Sequence, residues 1–171
     1  VVQSSRFDVA EPDFGSLEFF RYQIDTALQS AGVSKVLLTA PGKDVPNIVH
    51  GVNHREFNPD HVAIYSAASC TTNAITPVLK VVEDSLGIRK GHIETIHAYT
   101  NDQKILDVFH KDLRRARSAG QNLIPTTTGA ARVVGVVIPD LKGKLDGMAV
   151  RVPTPTVSLV DFVADVKQKV T

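Results

Sequence analysis

Residues 61–87 read HVAIYSAASCTTNAITPVLKVVEDSLG and join a short apolar strand to an amphipathic helix. The strand pattern runs to Ser66, and small residues separate it from Cys70, beyond which apolar side chains recur at the i, i+3, i+4 and i+7 spacing of one helix face. These side chains are Ile75, Val78, Leu79, Val82 and Leu86. Gly87 is the expected end of the helix, and Pro77 predicts a kink within it. A buried strand leading into a helix is typical of an α/β fold.

The residues before this stretch follow the same pattern. Apolar side chains at helical spacing predict a helix over 18–31 that ends at Gly32. A strand over 36–38 follows and is closed by the turn signal Pro41-Gly42. This segment is therefore expected to be a helix-to-strand unit of an α/β sheet.

The pattern of apolar and polar residues changes from Gly91 onward, so this glycine is one candidate domain boundary. A basic, irregular segment over 101–125 separates the expected elements of this part. They are a strand over 92–99, a short helix over 129–137, and strands over 147–152 and 157–166. The last strand alternates apolar and charged residues, which predicts an antiparallel sheet covered on one side.

Composition limits the classes of function. With 19 basic and 18 acidic residues among 171, the net charge is +1. Nucleic acid and anionic membranes are therefore not expected as partners. A single cysteine excludes an internal disulfide and a thiolate zinc cage, no metal site is expected, and a lone thiol fits a reducing compartment. Residues 1–20 lack the layout of a signal peptide or a membrane span, so we expect the cytoplasm or a plastid stroma.

Cys70 is the candidate nucleophile. A cysteine at a strand end and a helix start has its sulfur near unpaired N–H groups and the positive end of the helix dipole, and both favour the thiolate. The flanking Ser69, Thr71, Thr72 and Asn73 could cap the helix or bind an oxyanion. The alternative is that Cys70 is a small buried filler and the polar residues are only a cap.

Seven ordered blocks carry a resemblance to a known family. They are KVLLTAPGK (35–43), SCTTN (69–73), HAYTNDQ (97–103), DLRRAR (112–117), PTTTGAA (125–131), LKGKL (141–145) and RVPTP (151–155). The chain resembles the phosphorylating glyceraldehyde-3-phosphate dehydrogenases over the middle of that enzyme. The resemblance implies that residues 1–69 are the end of a Rossmann-type NAD-binding domain. Residues 70–171 would be part of an α+β catalytic domain with an antiparallel or mixed sheet.

The resemblance also implies a reaction and a homotetramer. Cys70 would attack the aldehyde of glyceraldehyde 3-phosphate, and His97 would hold the thiolate and act as base while hydride leaves for NAD or NADP. Inorganic phosphate would then release the acyl group as 1,3-bisphosphoglycerate. Asn101 would approach the nicotinamide carboxamide.

Two anion pockets are implied for the two phosphates. Arg151 with Thr100 would hold the substrate phosphate, and Asp102 would act through Arg151 because a carboxylate cannot itself bind phosphate. Arg115 would lie between the two pockets. The residues implied for inorganic phosphate are Thr71, Thr128 and Gly129, with Ser69 beside them. Without the resemblance, residues 126–129 read as a helix cap, and 111–117 as a solvated basic loop or weak nucleic-acid patch.

The glycine-rich G-x-G-x-x-G turn that binds dinucleotides is absent from the sequence, so the choice between NAD and NADP stays open. The resemblance covers about half of the family's length. Three alternatives stay open as well. They are a dehydrogenase of a related aldehyde such as erythrose 4-phosphate, a non-catalytic interaction or nucleic-acid-binding module, and a cysteine hydrolase using Cys70 and His97.

Overall fold

The computed structural model describes residues 32–42, 45–58 and 60–170. Its strands are β1 (Val36–Leu38), β2 (Ile64–Ser66), β3 (Ile88–Ala98), β4 (Ile124–Thr127), β5 (Leu145–Val152) and β6 (Ser158–Val166), and its helices are α1 (Cys70–Leu86) and α2 (Ala130–Val137). A short 3-10 helix, Pro139–Leu141, follows α2. The helix expected over 18–31 lies outside the described residues. None of the described helices is long and apolar enough to cross a membrane.

Four strands form a mixed sheet in the order β4-β5-β3-β6. β6 runs antiparallel to β3, and β4 antiparallel to β5, but the central pair β3 and β5 is parallel. The antiparallel pairing expected for the last strand is confirmed for β6, and the sheet as a whole is mixed, as the resemblance allowed. The parallel pairing of β3 with β5 was not indicated by the alternation. Alternation reports which face of a strand is buried and carries no information on the direction of its neighbour. The connection through β4 and α2 is long enough for the crossover that parallel strands need.

One face of this sheet is covered by the two helices. Buried residues of α1, α2 and β3 form a common core. They include Ile75, Leu79, Ile88, Ile93 and Val134. Val160, Phe162 and Ala164 of β6 pack against it, whereas Leu159 and Val163 are 57% and 65% exposed. The expected one-sided burial of this strand is confirmed.

α1 begins and ends where its pattern predicts. Gly87 ends it with a φ of 66°, a left-handed conformation that glycine adopts at little cost. Pro77 lies inside the helix. β3 begins four residues earlier than expected, at Ile88, and Gly91 within it is pressed against Phe162, whose ring carbon would lie 2.7 Å from an added Cβ. The glycine that suggests a break in the sequence thus makes room for a core ring.

β1 and β2 form a separate parallel pair. Ala67 N–H donates to Leu38 O at 2.8 Å, so the chain leaving β2 is tied to the end of β1. Two adjacent parallel strands agree with an α/β arrangement. The assignment of residues 1–69 to a Rossmann-type domain stays a prediction.

Candidate active site

The N-terminus of α1 is built around a serine cap. Ser69 is extended, with φ −93° and ψ 162°, and its hydroxyl accepts the N–H of Thr72 at 3.0 Å. Asn73 donates from its side chain to Ala67 O at 2.7 Å and Ser69 O at 2.8 Å. These contacts fix the turn that presents Cys70 as the first helical residue. Cys70 is an exposed residue, and its sulfur lies at the positive end of the helix dipole.

His97, the second-last residue of β3, faces this sulfur. Its Nε2 lies 3.3 Å from Cys70 Sγ, and the ring is 9% exposed. The two residues are 27 positions apart in sequence, so only the packing of α1 against the sheet brings them together. A thiol and an imidazole at this distance can share a proton, which is the arrangement of an activated cysteine nucleophile.

Arg151 stands beside His97 because the register of the parallel strands requires it. The two residues are direct partners across β3 and β5, and partner side chains project from the same sheet face. Arg151 Nη1 lies 2.7 Å from His97 Nδ1 and donates to Ala98 O at 3.1 Å. Its Nε is buried without a hydrogen-bond partner among the described residues. The predicted substrate-phosphate arginine therefore also packs against the predicted base.

Two close contacts of His97 Nδ1 make opposite demands on the ring proton. Nδ1 of His97 lies 2.6 Å from Ala98 O, and a carbonyl can only accept. Arg151 Nη1 lies 2.7 Å from the same Nδ1 and can only donate, so these contacts do not assign the ring proton to one nitrogen. Nε2, 3.3 Å from Cys70 Sγ, is the nitrogen that can take the proton of the thiol. After that transfer, Nε2–H would donate to the thiolate.

Asp102 and Arg115 form the second charged pair of the site. Arg115 Nη1 donates to Asp102 Oδ2, and its Nε donates to Thr126 Oγ1 at 2.9 Å. The sequence reasoning placed Asp102 behind Arg151, but its direct partner is Arg115. Asp112 lies on the other side, 3.7 Å from Arg115 Nε. Side-chain and backbone hydrogen bonds from Arg114 hold the pKa of Asp112 below its usual value, so this carboxylate stays charged.

Electrostatics link these groups into one cluster. Burial lowers the pKa of Arg151, and the positive charge of Arg115 lowers it further. Negative charge on Asp102 and Cys70 acts in the opposite direction. A guanidinium nevertheless stays protonated in proteins. Two arginines, one carboxylate and the thiol are thus close enough to influence one another, and the two cations favour an anionic ligand.

Thr100 and Asn101 lie in the turn after β3, and both are exposed. Gln103 closes this turn. Its backbone N–H donates to Thr100 O at 2.9 Å, and its buried side chain accepts the N–H of Thr100 at 3.2 Å. Neither Thr100 nor Asn101 uses its side chain in a hydrogen bond with any described residue, so both are available to a ligand.

Thr128 and Gly129 lie at the N-terminus of α2. Gly129 is the N-cap residue, and Thr128 Oγ1 accepts the N–H of Ala130 at 3.2 Å. α1 and α2 pack against each other. Thr71 Oγ1 is 4.0 Å from Cys70 Sγ, but no hydrogen bond in the described ranges joins it to Thr128 or Gly129. The structure thus brings Cys70, His97 and Arg151 into contact. It does not join the residues of the second predicted anion pocket by a described hydrogen bond.

Sequence reasoning missed three residues that shape the site. Thr126 anchors Arg115, Gln103 folds the turn of Thr100, and the buried Ser66 bonds to the backbone before Cys70. Gln103 and Thr126 lie inside two of the seven blocks that resemble the family, 97–103 and 125–131. Thr126 and Ser66 could have been found because each is a polar residue at an inward position of a short strand. A buried polar group needs a hydrogen-bond partner, so such a position indicates a structural contact.

Comparison with known proteins agrees with this geometry. Residues 69–171 match the family model described as glyceraldehyde 3-phosphate dehydrogenase, C-terminal domain. The chain is 57% identical over 142 residues to glyceraldehyde-3-phosphate dehydrogenase 2 of Bacillus subtilis, covering 82% of this chain and 42% of that protein. It is 56% identical to the chloroplastic glyceraldehyde-3-phosphate dehydrogenase A of Zea mays, covering 81% of this chain and 34% of that protein. The chain spans less than half the length of these relatives.

Proposed function

Since the chain belongs to the glyceraldehyde-3-phosphate dehydrogenase family, we propose that the protein containing it oxidises glyceraldehyde 3-phosphate and phosphorylates the product. The observation that carries this proposal is the 3.3 Å contact between Cys70 Sγ and His97 Nε2, beside two arginines. A nucleophile, a base and a cationic surround are what the reaction of an anionic aldehyde needs.

In the proposed mechanism, the Cys70 thiolate adds to the aldehyde carbon, and His97 returns the proton that it took from the thiol to the resulting alkoxide, which gives a hemithioacetal and a neutral ring. His97 then removes the proton from the hemithioacetal hydroxyl as hydride leaves the same carbon, which gives a thioester on Cys70. An oxygen of inorganic phosphate attacks that carbonyl, the carbon–sulfur bond breaks, and the thiolate is regenerated with 1,3-bisphosphoglycerate as product. A bound nicotinamide supplies the hydride acceptor.

The two arginines have separate proposed tasks. Arg151, with Thr100 from the turn after β3, would hold the phosphate of the substrate, and its buried Nε has a hydrogen still to donate. Arg115 would be oriented by Asp102 and Thr126 between the two phosphate positions. The proposed pocket for inorganic phosphate consists of Ser69, Thr71, Thr128 and Gly129, which lie at two helix N-termini where anions bind.

The cofactor is proposed to be NAD or NADP. The amide of Asn101 is exposed next to the site and makes no hydrogen bond to a described residue, which suits contact with a carboxamide. Residues 1–69 would belong to the dinucleotide-binding domain and residues 70–171 to the catalytic domain. The family model begins at residue 69, which supports this division. The proposed setting is the cytoplasm or a plastid stroma.

A homotetramer is the proposed assembly. The irregular segment between β3 and β4 exposes several large apolar side chains, among them Phe109 at 88%, Leu113 at 77% and Leu106 at 70%. Apolar groups clustered on one surface segment usually meet further protein. This exposure supports burial of the segment in an assembly.

The activity is tested by following nicotinamide reduction with glyceraldehyde 3-phosphate, with and without inorganic phosphate. We expect phosphate-dependent turnover that Cys70→Ser abolishes. Erythrose 4-phosphate is measured in parallel and should turn over more slowly. Turnover that survives Cys70→Ser, or that needs neither cofactor nor phosphate, would contradict the proposal.

A further inference from the structure

Ser66, the last residue of β2, is fully buried, and its hydroxyl uses every hydrogen-bonding position it has. It accepts the N–H of Gly42 at 2.9 Å and the N–H of Ala68 at 3.0 Å. Its own hydrogen points toward Ala40 O at 2.7 Å and Asn47 Oδ1 at 2.9 Å. A hydroxyl has one hydrogen and two lone pairs, so the group is saturated.

Ala68, which this hydroxyl binds, has an unusual backbone conformation. Its φ is 57°, in the left-handed region, and the residue is 5% exposed. For a residue with a Cβ, this conformation is unfavourable and persists only where the surroundings enforce it. Ser66 provides such an enforcing contact to Ala68, the residue just before the helix cap Ser69.

We propose that Ser66 is a positioning residue for the nucleophile. By holding Ala68 left-handed, its hydroxyl turns the chain so that Ser69 caps α1 and Cys70 points at His97. Ser66 touches neither the sulfur nor the ring in any described contact, so it acts through the backbone. The inference rests on the proposed role of Cys70, and it adds a residue outside the reacting groups.

Hydrogen bonds connect the end of β2 to the turn that precedes α1. The backbone leaving β2 is already fixed at Ser66 N–H, which donates to Pro46 O at 2.8 Å, and at Ala67 N–H, which is bound to Leu38 O. Beyond Ala67, the hydroxyl of Ser66 is the group that binds Ala68 N–H. Without it, Ala68 would relax toward negative φ, and the 3.3 Å contact between sulfur and imidazole would lengthen.

The test is the rate of Cys70 alkylation by iodoacetamide as a function of pH. A thiol that is not held near an imidazole is only a few per cent thiolate at neutral pH, so Ser66→Ala should slow alkylation at pH 7 about tenfold. At alkaline pH, where every thiol is ionised, the variant and the unmodified protein should react at similar rates. A purely structural defect would not give this convergence.

A second substitution tests the role of the backbone. Glycine adopts a left-handed φ without penalty, so Ala68→Gly added to Ser66→Ala should restore most of the alkylation rate at pH 7. If Ser66→Ala alone does not fold, the double variant should fold and react at nearly the normal rate. Asn53→Ala is the matched control. Asn53 braces the neighbouring loop through Val49 N–H and Asn47 O without touching Ser66, so its loss should lower stability and leave alkylation unchanged.

Three results would overturn the inference: unchanged alkylation in folded Ser66→Ala, no recovery in the double variant, or the same slowing in Asn53→Ala. Failure of the proposed function has a different signature. In that case His97→Asn would leave alkylation of the otherwise unmodified protein unchanged, whatever Ser66 does.

Discussion

Cys70 and His97 meet at the boundary between solvent and core, and their exposure differs accordingly. Cys70 is an exposed residue, whereas His97 is 9% exposed and its Nδ1 lies against Ala98 O and Arg151 Nη1. An exposed cysteine can be reached by a substrate, and a fixed ring keeps Nε2 directed at its sulfur. The substrate would therefore approach the pair from the solvent side, where Cys70 is exposed.

Replacing His97 with Asn tests the ring directly. Asparagine can retain a polar contact near Ala98 O but has no group at the position of Nε2. We expect alkylation of Cys70 at pH 7 to slow about tenfold, because the thiolate loses its partner. The rate is measured with iodoacetamide across pH. His92→Asn, an exposed histidine on the same strand, is the control and should leave the profile unchanged.

Thr126→Val tests how Arg115 is held. Thr126 is 3% exposed, and its hydroxyl accepts from Arg115 Nε at 2.9 Å and donates to Asp112 Oδ2 at 3.3 Å. Valine keeps the shape and removes the hydroxyl. We expect a several-fold higher KM for the aldehyde with little change in kcat, and a loss of about 1 kcal/mol in the free energy of unfolding.

Thr95→Val is the matched control for that substitution. Thr95 is 1% exposed, and its hydroxyl has no hydrogen-bond partner within the described part of the chain. The same replacement should therefore leave KM unchanged and the free energy of unfolding equal or higher. If Thr126→Val and Thr95→Val changed KM equally, the position of Arg115 would not depend on its hydrogen bond to Thr126.

Among the elements, α1 was the one that sequence described best. Its apolar face, its start at Cys70 and its end at Gly87 all follow from local patterns. The pairing of β3 with β5 could not be predicted, because it joins segments separated by β4 and α2 and leaves no local trace. That pairing puts Arg151 beside His97. The thiol and its helix were thus predictable from the residues, His97 required the resemblance, and the contact between ring and guanidinium required the structure.

Glu83 couples the end of α1 to the sheet, and its charge makes this junction sensitive to acid. Burial raises the pKa of Glu83, but hydrogen bonds from Ile88 N–H and Lys144 outweigh it and leave the pKa below its usual value. The unfolded chain therefore binds a proton more readily. The stabilisation is complete above the pKa of Glu83 in the unfolded chain and is lost as pH falls through its lower pKa in the folded protein.

Glu83→Gln should remove this dependence. It keeps an oxygen for Ile88 N–H but loses the ion pair with Lys144, which spans 3.2 Å. We expect the free energy of unfolding at pH 7 to fall by about 1 kcal/mol, with a smaller further loss between pH 5 and 3 than in the unmodified protein. Denaturant unfolding at several pH values measures both. If the free energy of unfolding fell equally between pH 5 and 3 in both proteins, the stabilising role assigned to the Glu83 charge would be contradicted.

At the scale of the whole molecule, the described sheet and helices assemble the reacting pair and the nearby arginines from four separate parts of the chain. α1 provides the thiol, β3 the imidazole, β5 one guanidinium, and the segment before β4 the other. The sequence identified these parts through separate blocks but not their mutual orientation, because each contact joins positions far apart in the chain. The geometry is consistent with the chemistry that the family assignment suggests.

The most direct measurement is the covalent state of Cys70 during turnover. The protein is mixed with glyceraldehyde 3-phosphate and oxidised nicotinamide cofactor in the absence of inorganic phosphate, quenched, digested and analysed by mass spectrometry. We predict a phosphoglyceroyl thioester on the peptide containing Cys70, which disappears when phosphate is added. An adduct on another residue, an adduct that phosphate does not release, or no adduct while cofactor is being reduced would contradict the account.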